Sequence, residues 1–321
     1  MRWPRPRLYH MLMPPLPLLS LIGNTPLVEL TRLSPKPGVR LFAKLEGQNP
    51  SGSVKDRIVK AIVEKAEREG RLKPGDTLID ASSGNTAIAL AMVSRQKGYN
   101  ARVVIPQGVP PSIVDLLRLF GAEVTWCDSH AGMKGAVDEA QRQADANGYY
   151  ALSQFTDEEN ILAHYEGTGF EIAEALPKVD AFVAGIGTGG TIMGAGKRLR
   201  EANPNVRVIG VEPRLGERLQ GLRSLSEGFA SPLLDIGQID GRFLVDSASA
   251  LKMVRTVVGT EGIVAGVSSG ACLSAALRVA DRMEEGNIVM MFSDGGWKYL
   301  PSRPWDATEE DAAALDETHW W

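Results

Sequence analysis

Short apolar strands and amphipathic helices alternate along this sequence. In the segment 54–70, Ile58, Ile62, Val63 and Ala66 recur at helical spacing. The predicted helices are 54–70, 85–98, 111–121, 131–148, 158–175 and 191–203, and the predicted strands are 76–81, 101–106, 122–128, 149–155, 180–186 and 206–213. Alternation of this kind predicts parallel sheets with helices on both faces.

The composition is that of a globular protein large enough for two domains. The chain has 321 residues, of which 44% are apolar, and a net charge of −4. Nucleic-acid binding needs clustered Lys and Arg, so this charge argues against it. No run of about 20 apolar residues is present, which argues against a membrane span. Cys127 and Cys272 match no metal-site or disulfide spacing, so we expect no metal.

Two segments fall outside the alternation. Residues 1–19 are basic and then apolar, as in an export signal, but Pro14, Pro15 and Pro17 interrupt the apolar part. We therefore expect an irregular N-terminal arm on a cytoplasmic protein. Residues 213–245 are rich in Gly and Leu without a clear period, and we interpret them as a long functional loop.

Three loops mark the expected ligand site. Parallel sheets bind ligands at the carboxyl ends of their strands, in the loops that lead into helices. Those loops are "ASSGNT" at 81–86, "GIGTGGT" at 185–191 and "GVSSGA" at 266–271. All three are rich in Gly, Ser or Thr, so backbone N–H groups and hydroxyls would face the ligand.

The second loop matches the G-x-G-x-x-G pattern of dinucleotide sites, with Gly185, Gly187 and Gly190 at the glycine positions. A single phosphate also binds successive N–H groups at a helix N-terminus, where Thr188 and Thr191 would add hydroxyl donors. The motif alone permits both ligands.

A lysine in a turn decides between the two ligands. The stretch "NPSGSVKDR" (49–57) places Lys55 at the start of a helix. An aldehyde cofactor needs such a lysine for a Schiff base, whereas a dinucleotide does not. The positive end of the helix dipole would lower the pKa of Lys55 and so favour the free amine. The sequence therefore favours an aldehyde cofactor that carries one phosphate.

Several motifs, taken in order, resemble the cysteine synthase family, the β-replacing enzymes of fold type II that use pyridoxal 5′-phosphate (PLP). The matching stretches span about residues 20–300 and include "IGNTPLVEL" (22–30), "KLEGQNPSGSVKDR" (44–57), "SSGNTAIALA" (82–91), "GIGTGGTIMG" (185–194), "EGIVAGVSSGA" (261–271) and "GWKYL" (296–300). The resemblance implies a homodimer with an α/β fold like that of the tryptophan synthase β subunit, built from two three-layer α/β/α domains with mainly parallel sheets.

The resemblance also implies boundaries for the parts of the chain. We expect a small mobile domain at 57–161 and a large PLP-binding domain at 20–56 plus 162–304. The remaining residues, 305–321, form a C-terminal tail.

The resemblance assigns roles to individual residues. Lys55 forms the Schiff base, Asn85 hydrogen-bonds the ring oxygen of PLP, and Ser268 faces the pyridine nitrogen. The phosphate is bound by Gly187, Thr188, Gly189, Gly190 and Thr191. The substrate carboxylate is bound by Ser82, Ser83, Gly84, Thr86 and Gln154. His164, inside "AHYEGTG", is expected to be a packing or hydrogen-bonding residue.

These residue types favour β-replacement. A Ser opposite the pyridine nitrogen makes the ring a weaker electron sink than an Asp would, which favours direct loss of a β leaving group. Lys55 would remove the α-proton of a small amino-acid substrate. The elimination gives an α-aminoacrylate, which a sulfur nucleophile attacks to form L-cysteine.

The stretch "GLRSLSEGF" (221–229) resembles the branch of the family that prefers O-phosphoserine over O-acetylserine. In that branch Arg223 would bind the substrate phosphate through two parallel hydrogen bonds. Arg214 and Arg218 are expected to be solvated. The same branch takes sulfur from a small carrier protein that ends in a thiocarboxylate, and it closes its active site with its C-terminus. We therefore expect Trp320 and Trp321 to form a lid, or otherwise to dock on a surface groove or a dimer partner.

Two other functions stay open at this stage. The first is β-replacement with a nitrogen nucleophile or another sulfur nucleophile, as in diaminopropionate or S-substituted cysteine synthesis. The second is a binding or regulatory protein that has lost catalysis, against which the intact Lys55, Asn85 and Ser268 argue.

Overall fold

The computed structural model describes residues 16–107, 109–127, 132–217, 219–227 and 231–301. Most of the expected N-terminal arm, and the tail with its proposed Trp320–Trp321 lid, lie outside these ranges. The elements of the described part are, in chain order, β1 (Leu27–Glu29), β2 (Val39–Leu45), α1 (Lys55–Arg68), β3 (Thr77–Ala81), α2 (Asn85–Lys97), β4 (Asn100–Pro106), α3 (Pro111–Leu119), β5 (Glu123–Cys127), α4 (Gly132–Asn147), β6 (Tyr150–Ala151), α5 (Glu159–Ala163), α6 (Phe170–Ala175), β7 (Ala181–Gly185), α7 (Gly190–Ala202), β8 (Arg207–Pro213), β9 (Gly241–Val245), α8 (Ser247–Glu261), α9 (Val267–Ala280) and β10 (Gly286–Phe292).

The strands form two sheets. One has six strands in the order β1-β2-β10-β7-β8-β9, and the other has four in the order β5-β4-β3-β6. The pairs are parallel except for β1 with β2, which is antiparallel. The expected α/β architecture with mainly parallel sheets is confirmed.

Both faces of each sheet are covered by helices. In β7, Ala181 and Val183 pack in a core with α8 and α9, whereas Phe182 and Ala184 pack in a second core with α6 and α7. Residues of β3 and β4 pack against α1, α2 and α3 on one face and against α4 on the other. Because side chains alternate between the faces of a strand, each apolar strand serves two cores. Each sheet is therefore the middle of three layers.

The two sheets draw their strands from different parts of the chain. Strands β3 to β6 lie within the segment 57–161, and the strands of the larger sheet lie in 20–56 and 162–304. The domain boundaries at these residues, and the mobility of the smaller unit, stay predictions. Within the described ranges, none of the helices has the length and apolarity needed to span a membrane.

Three sequence-based predictions need correction. The loop interpretation of 213–245 is wrong at its end, where β9 pairs with β8 at the edge of the large sheet. This strand is too short for its alternation of exposed and covered residues to stand out. The expected strand 149–155 contains only Tyr150–Ala151, and the expected helix 158–175 is interrupted by a π-helical turn, His164–Gly169. An inserted residue of this kind leaves no signal in a period of 3.6 residues.

A buried cluster of four charges anchors the start of α1. Arg57 donates to both carboxylate oxygens of Glu46, at 2.7 and 2.9 Å, and to both oxygens of Glu171, at 2.7 Å each. The ammonium of Lys44 donates to Glu171 at 2.6 Å. Burial would raise the pKa of Glu171, but Arg57 and Lys44 outweigh it and hold that pKa at about 2. The cluster is neutral overall, which makes its burial tolerable.

Replacing Arg57 with Leu should destabilise the protein by about 3–5 kcal/mol, because Glu46 would stay buried without its cation. The free energy of unfolding, measured in urea, tests this. Arg40→Leu is the matched control, because Arg40 pairs with Glu29 at the surface and its loss should cost much less. Equal losses for the two variants would contradict the anchoring role.

Candidate active site

Loops from both sheets meet at one cleft. It opens beyond the carboxyl ends of β3 and β7, where ligands of parallel sheets bind. Its lining residues are Lys55, Ala81, Ser82, Gly84, Asn85, Thr86, Gln154, Phe155, Gly187, Thr188, Gln220, Gly221, Leu222 and Arg223. Most of the residues that the sequence singled out are thus brought together.

Lys55 is the first residue of α1 and lies in the wall of the cleft. The preceding turn is tied to the end of β10, because Val54 N–H donates to the Ser293 carbonyl at 2.8 Å. Gly52 in this turn has φ +88°, and a Cβ there would come within 3.3 Å of the Trp297 ring. The turn therefore needs glycine and holds the lysine in place.

The pKa of Lys55 is lowered to about 8. Burial is the main cause, Arg223 adds to it, and Asp80 opposes it. The direction agrees with the expectation from sequence, although that expectation named the helix dipole as the cause. A neutral amine is accordingly within reach near neutral pH.

Asp80, Gln154 and Thr86 are joined by side-chain hydrogen bonds. The Gln154 Nε2 atom donates to Asp80 Oδ2 at 3.0 Å, and the Thr86 hydroxyl donates to Gln154 Oε1 at 2.8 Å. The pKa of Asp80 is raised to about 7 by burial, against the influence of its own hydrogen bonds and of Lys55. The side-chain amide of Gln154, expected beside the substrate carboxylate, is thus engaged with Thr86 and Asp80.

The loop before α2 presents donors to the cleft. Ser82, Gly84 and Thr86 line it, whereas Ser83 is buried outside the lining. The helix that follows has 13 residues, and its first N–H groups have no partner within the helix. Such a helix start suits a carboxylate.

Hydrogen bonds to Asp294 and Lys298 determine the orientation of the Asn85 side-chain amide. Its Nδ2 donates to Asp294 Oδ2 at 2.9 Å, and the Lys298 ammonium donates to its Oδ1. The Tyr299 hydroxyl donates to the same Asp294 oxygen. Asn85 lines the cleft, and the contacts found among the described residues use one of the two hydrogens of its amide nitrogen.

The glycine loop after β7 contributes to the same cleft as Lys55. Gly187 and Thr188 line the cleft, and a Cβ on Gly187 would come within 2.6 Å of the Gly221 carbonyl oxygen. Gly189, at φ +87°, precedes α7, which begins at Gly190. This arrangement of backbone N–H groups at a helix start is typical of a phosphate site.

Thr191 and Ser268 lie outside the lining of the cleft. The Thr191 hydroxyl lies 3.1 Å from Nε2 of His164, whose Nδ1 lies 2.9 Å from the Thr168 hydroxyl. Burial and nearby cations hold the pKa of His164 well below its usual value, so the ring is neutral and hydrogen-bonded, as expected. Ser268 is buried in the first turn of α9.

Arg223 lines the cleft with its guanidinium 4.9 Å from the centre of the Phe155 ring. Its backbone N–H donates to the Ile186 carbonyl at 2.8 Å, which ties this loop to the glycine loop. Arg214 lies away from the cleft lining and pairs with Asp246 at 3.4 Å. Arg218 lies outside the described residues.

Sequence reasoning missed several polar residues of the site. Asp80 lies one residue before the end of β3, so the strand-end rule had the signal for it. Lys298 lies in the motif "GWKYL", which was recognised without a role for its lysine. Asp294 and Asn160 had no signal, because only the folded chain brings them to Asn85 and Thr188.

Comparison with known proteins agrees with this geometry. The model of the pyridoxal-phosphate dependent enzyme family matches residues 18–294. A cysteine synthase of Staphylococcus aureus is 38% identical over 293 residues, which are 88% of this chain and 94% of that protein. Cysteine synthase B of Escherichia coli is 38% identical over 280 residues, which are 87% and 92% of the two chains.

Solved structures are similar over nearly the whole chain. An O-ureido-L-serine synthase has a TM-score of 0.87 at 36% identity and covers 94% of this chain and 99% of its own. A cysteine synthase of Entamoeba histolytica has a TM-score of 0.85 at 32% identity and covers 99% and 98%. The chain therefore belongs to the pyridoxal-phosphate-dependent enzymes of fold type II, in the cysteine synthase family.

Proposed function

We propose that this enzyme makes L-cysteine by β-replacement, with O-phosphoserine as the preferred substrate and O-acetylserine as the second. The observation that carries the proposal is the placement of Arg223 in the same cleft as Lys55, close enough to lower the pKa of that lysine. Relatives named cysteine synthase at 38% identity support the reaction class.

The residues present fit PLP. Lys55 would hold its aldehyde carbon through Nζ, and the loop 187–191 would hold its phosphate at the start of α7. Asn85 would donate a hydrogen bond to the ring oxygen. Ser268, in the first turn of α9, would hydrogen-bond the pyridine nitrogen. The bound cofactor supplies an aldehyde for the substrate amine and an electron sink for the α-carbon.

Side chains and backbone groups of the protein would bind the substrate, accept its α-proton and stabilise the leaving group. The substrate carboxylate would bind at the loop 82–86, where hydroxyls and helix N–H groups face the cleft. The ammonium of Lys55 has a pKa of about 8, so its neutral amine is accessible to accept the α-proton. Arg223 would bind the β-phosphate and stabilise its departure as an anion.

A nucleophile that carries N–H groups is the second candidate, and Gln220 favours it. Gln220 lines the cleft beside Arg223, and its Oε1 atom is buried without a hydrogen-bond partner in the described residues. A ureido group would donate to this oxygen and accept from Arg223. The similarity to the O-ureido-L-serine synthase structure supports a nucleophile that carries a ureido group as the second candidate.

Three further proposals accompany the reaction. The sulfur donor is a thiocarboxylated carrier protein, with free sulfide as the alternative, on the strength of the resemblance in 221–229. The enzyme is a homodimer, and it works in the cytoplasm. The tail that is proposed to close the active site lies outside the described residues.

Lys55→Ala should abolish β-replacement and leave PLP at most non-covalently bound, because no amine would hold the aldehyde carbon. Borohydride reduction of the wild-type enzyme, followed by peptide mapping, should locate the pyridoxyl group on Lys55. Its recovery on Lys298, whose ammonium contacts the cleft residue Asn85, would overturn the site assignment.

The rate at which PLP attaches covalently to apoenzyme should rise with pH around pH 8, because the neutral amine of Lys55 reacts. Arg223→Ala should move this midpoint upward, and Asp80→Asn should move it downward, since Arg223 lowers and Asp80 raises the pKa of Lys55. Stopped-flow absorbance follows the attachment. Midpoints unchanged in both variants would show that neither group acts on Lys55.

Arg223→Ala should lower kcat/KM for O-phosphoserine by about tenfold to a hundredfold, because a charge-assisted contact is lost. The loss for O-acetylserine should be much smaller. Arg214→Ala, outside the cleft, is the matched control. An equal loss on both substrates would assign Arg223 a structural role and remove the basis for O-phosphoserine preference.

A further inference from the structure

Asn160 is a buried polar residue that the proposed reaction leaves without a role. It lies in α5, and its Nδ2 donates to the Gln154 carbonyl at 2.8 Å and to the Thr188 hydroxyl oxygen at 3.0 Å. One amide nitrogen thus joins the segment behind the substrate loop to the glycine loop.

The orientation of this amide is determined by its surroundings. The Gln154 carbonyl can only accept a hydrogen bond, so a rotated amide would place Oδ1 against another acceptor. On the other side, a Cβ at Gly190 would lie 1.8 Å from Asn160 Oδ1. The third glycine of "GIGTGG" is therefore needed to make room for Asn160.

The contacts determine the direction of the Thr188 hydroxyl. A hydroxyl has two lone pairs and one hydrogen. The Thr188 oxygen accepts from Asn160 at 3.0 Å and, less closely, from Gly190 N–H at 3.4 Å. Both lone pairs are thereby used, and the hydrogen is left for the cleft that Thr188 lines. Thr188 presents a donor there, as a phosphate requires.

We propose that Asn160 is a positioning residue that aims the Thr188 hydroxyl at the PLP phosphate. This rests on the proposed assignment of 187–191 as the phosphate site. Without Asn160, the hydroxyl could rotate and donate elsewhere. With an Asp in its place, the hydroxyl would donate to the carboxylate and turn a lone pair toward the phosphate.

Equilibrium binding of PLP to apoenzyme tests the proposal without measuring turnover. Asn160→Ala should weaken PLP binding about tenfold, and Asn160→Asp should weaken it further, because a reversed hydroxyl and a negative charge both oppose the phosphate. A mere packing role predicts the opposite order, since Asp fills the space of Asn. In a Thr188→Val background, Asn160→Ala should add little, because the hydroxyl it aims is already gone.

Asn203→Ala is the matched control, because its Nδ2 also donates to a backbone carbonyl, that of Val179 at 2.9 Å, at the far end of α7. Thermal unfolding of each apoenzyme checks the fold, and if one Asn160 variant does not fold, the other decides. Wild-type PLP affinity in Thr188→Val would overturn the phosphate assignment. Weakened binding in Thr188→Val with wild-type affinity in the Asn160 variants would overturn this inference and leave that assignment standing.

Discussion

Two bidentate contacts from Arg57, one to Glu46 and one to Glu171, hold the start of α1 to the large sheet. Lys55 lies two residues earlier, so its backbone cannot move without disturbing four charge-assisted hydrogen bonds. Glu46 follows β2 and Glu171 lies in α6, which are far apart in sequence. The amine of Lys55, the proposed attachment point of the cofactor, is therefore positioned by a neutral cluster that lies outside the cleft lining.

Much of the fold follows from local patterns. Helices such as α1 and α2 and strands such as β4 begin and end within a few residues of their predicted limits, because burial on one or both faces imposes a period. Two of the three predicted ligand loops, 81–86 and 185–191, contribute residues to the cleft lining for the same reason, since strand ends are local features. The edge strand β9 was not predicted from the sequence. It has only five residues and pairs with one neighbouring strand, so its alternation of exposed and covered side chains is too short to recognise.

The contacts behind the cleft could not be predicted in this way. Asn85 and Lys298 form a hydrogen bond although they are more than 200 residues apart in sequence, and Thr86 and Gln154 do so at a separation of 68 residues. Periodicity shows which face of an element is buried, but it does not show which loops meet. The helix-dipole argument for Lys55 gave the correct direction of the pKa shift but not its main cause, because the amount of protein packed around the amine is not visible in the sequence.

If Arg223 binds the substrate phosphate as proposed, its position would link substrate choice to the protonation state of Lys55. The guanidinium lowers the pKa of Lys55, whereas the carboxylate of Asp80 raises it. A phosphate bound to Arg223, as proposed, would cancel much of its charge and raise the pKa of Lys55 toward that of a stronger base. A neutral acetyl group would leave that charge in place. After the proposed departure of the phosphate, the charge of Arg223 would again lower the pKa of Lys55 and favour its neutral amine.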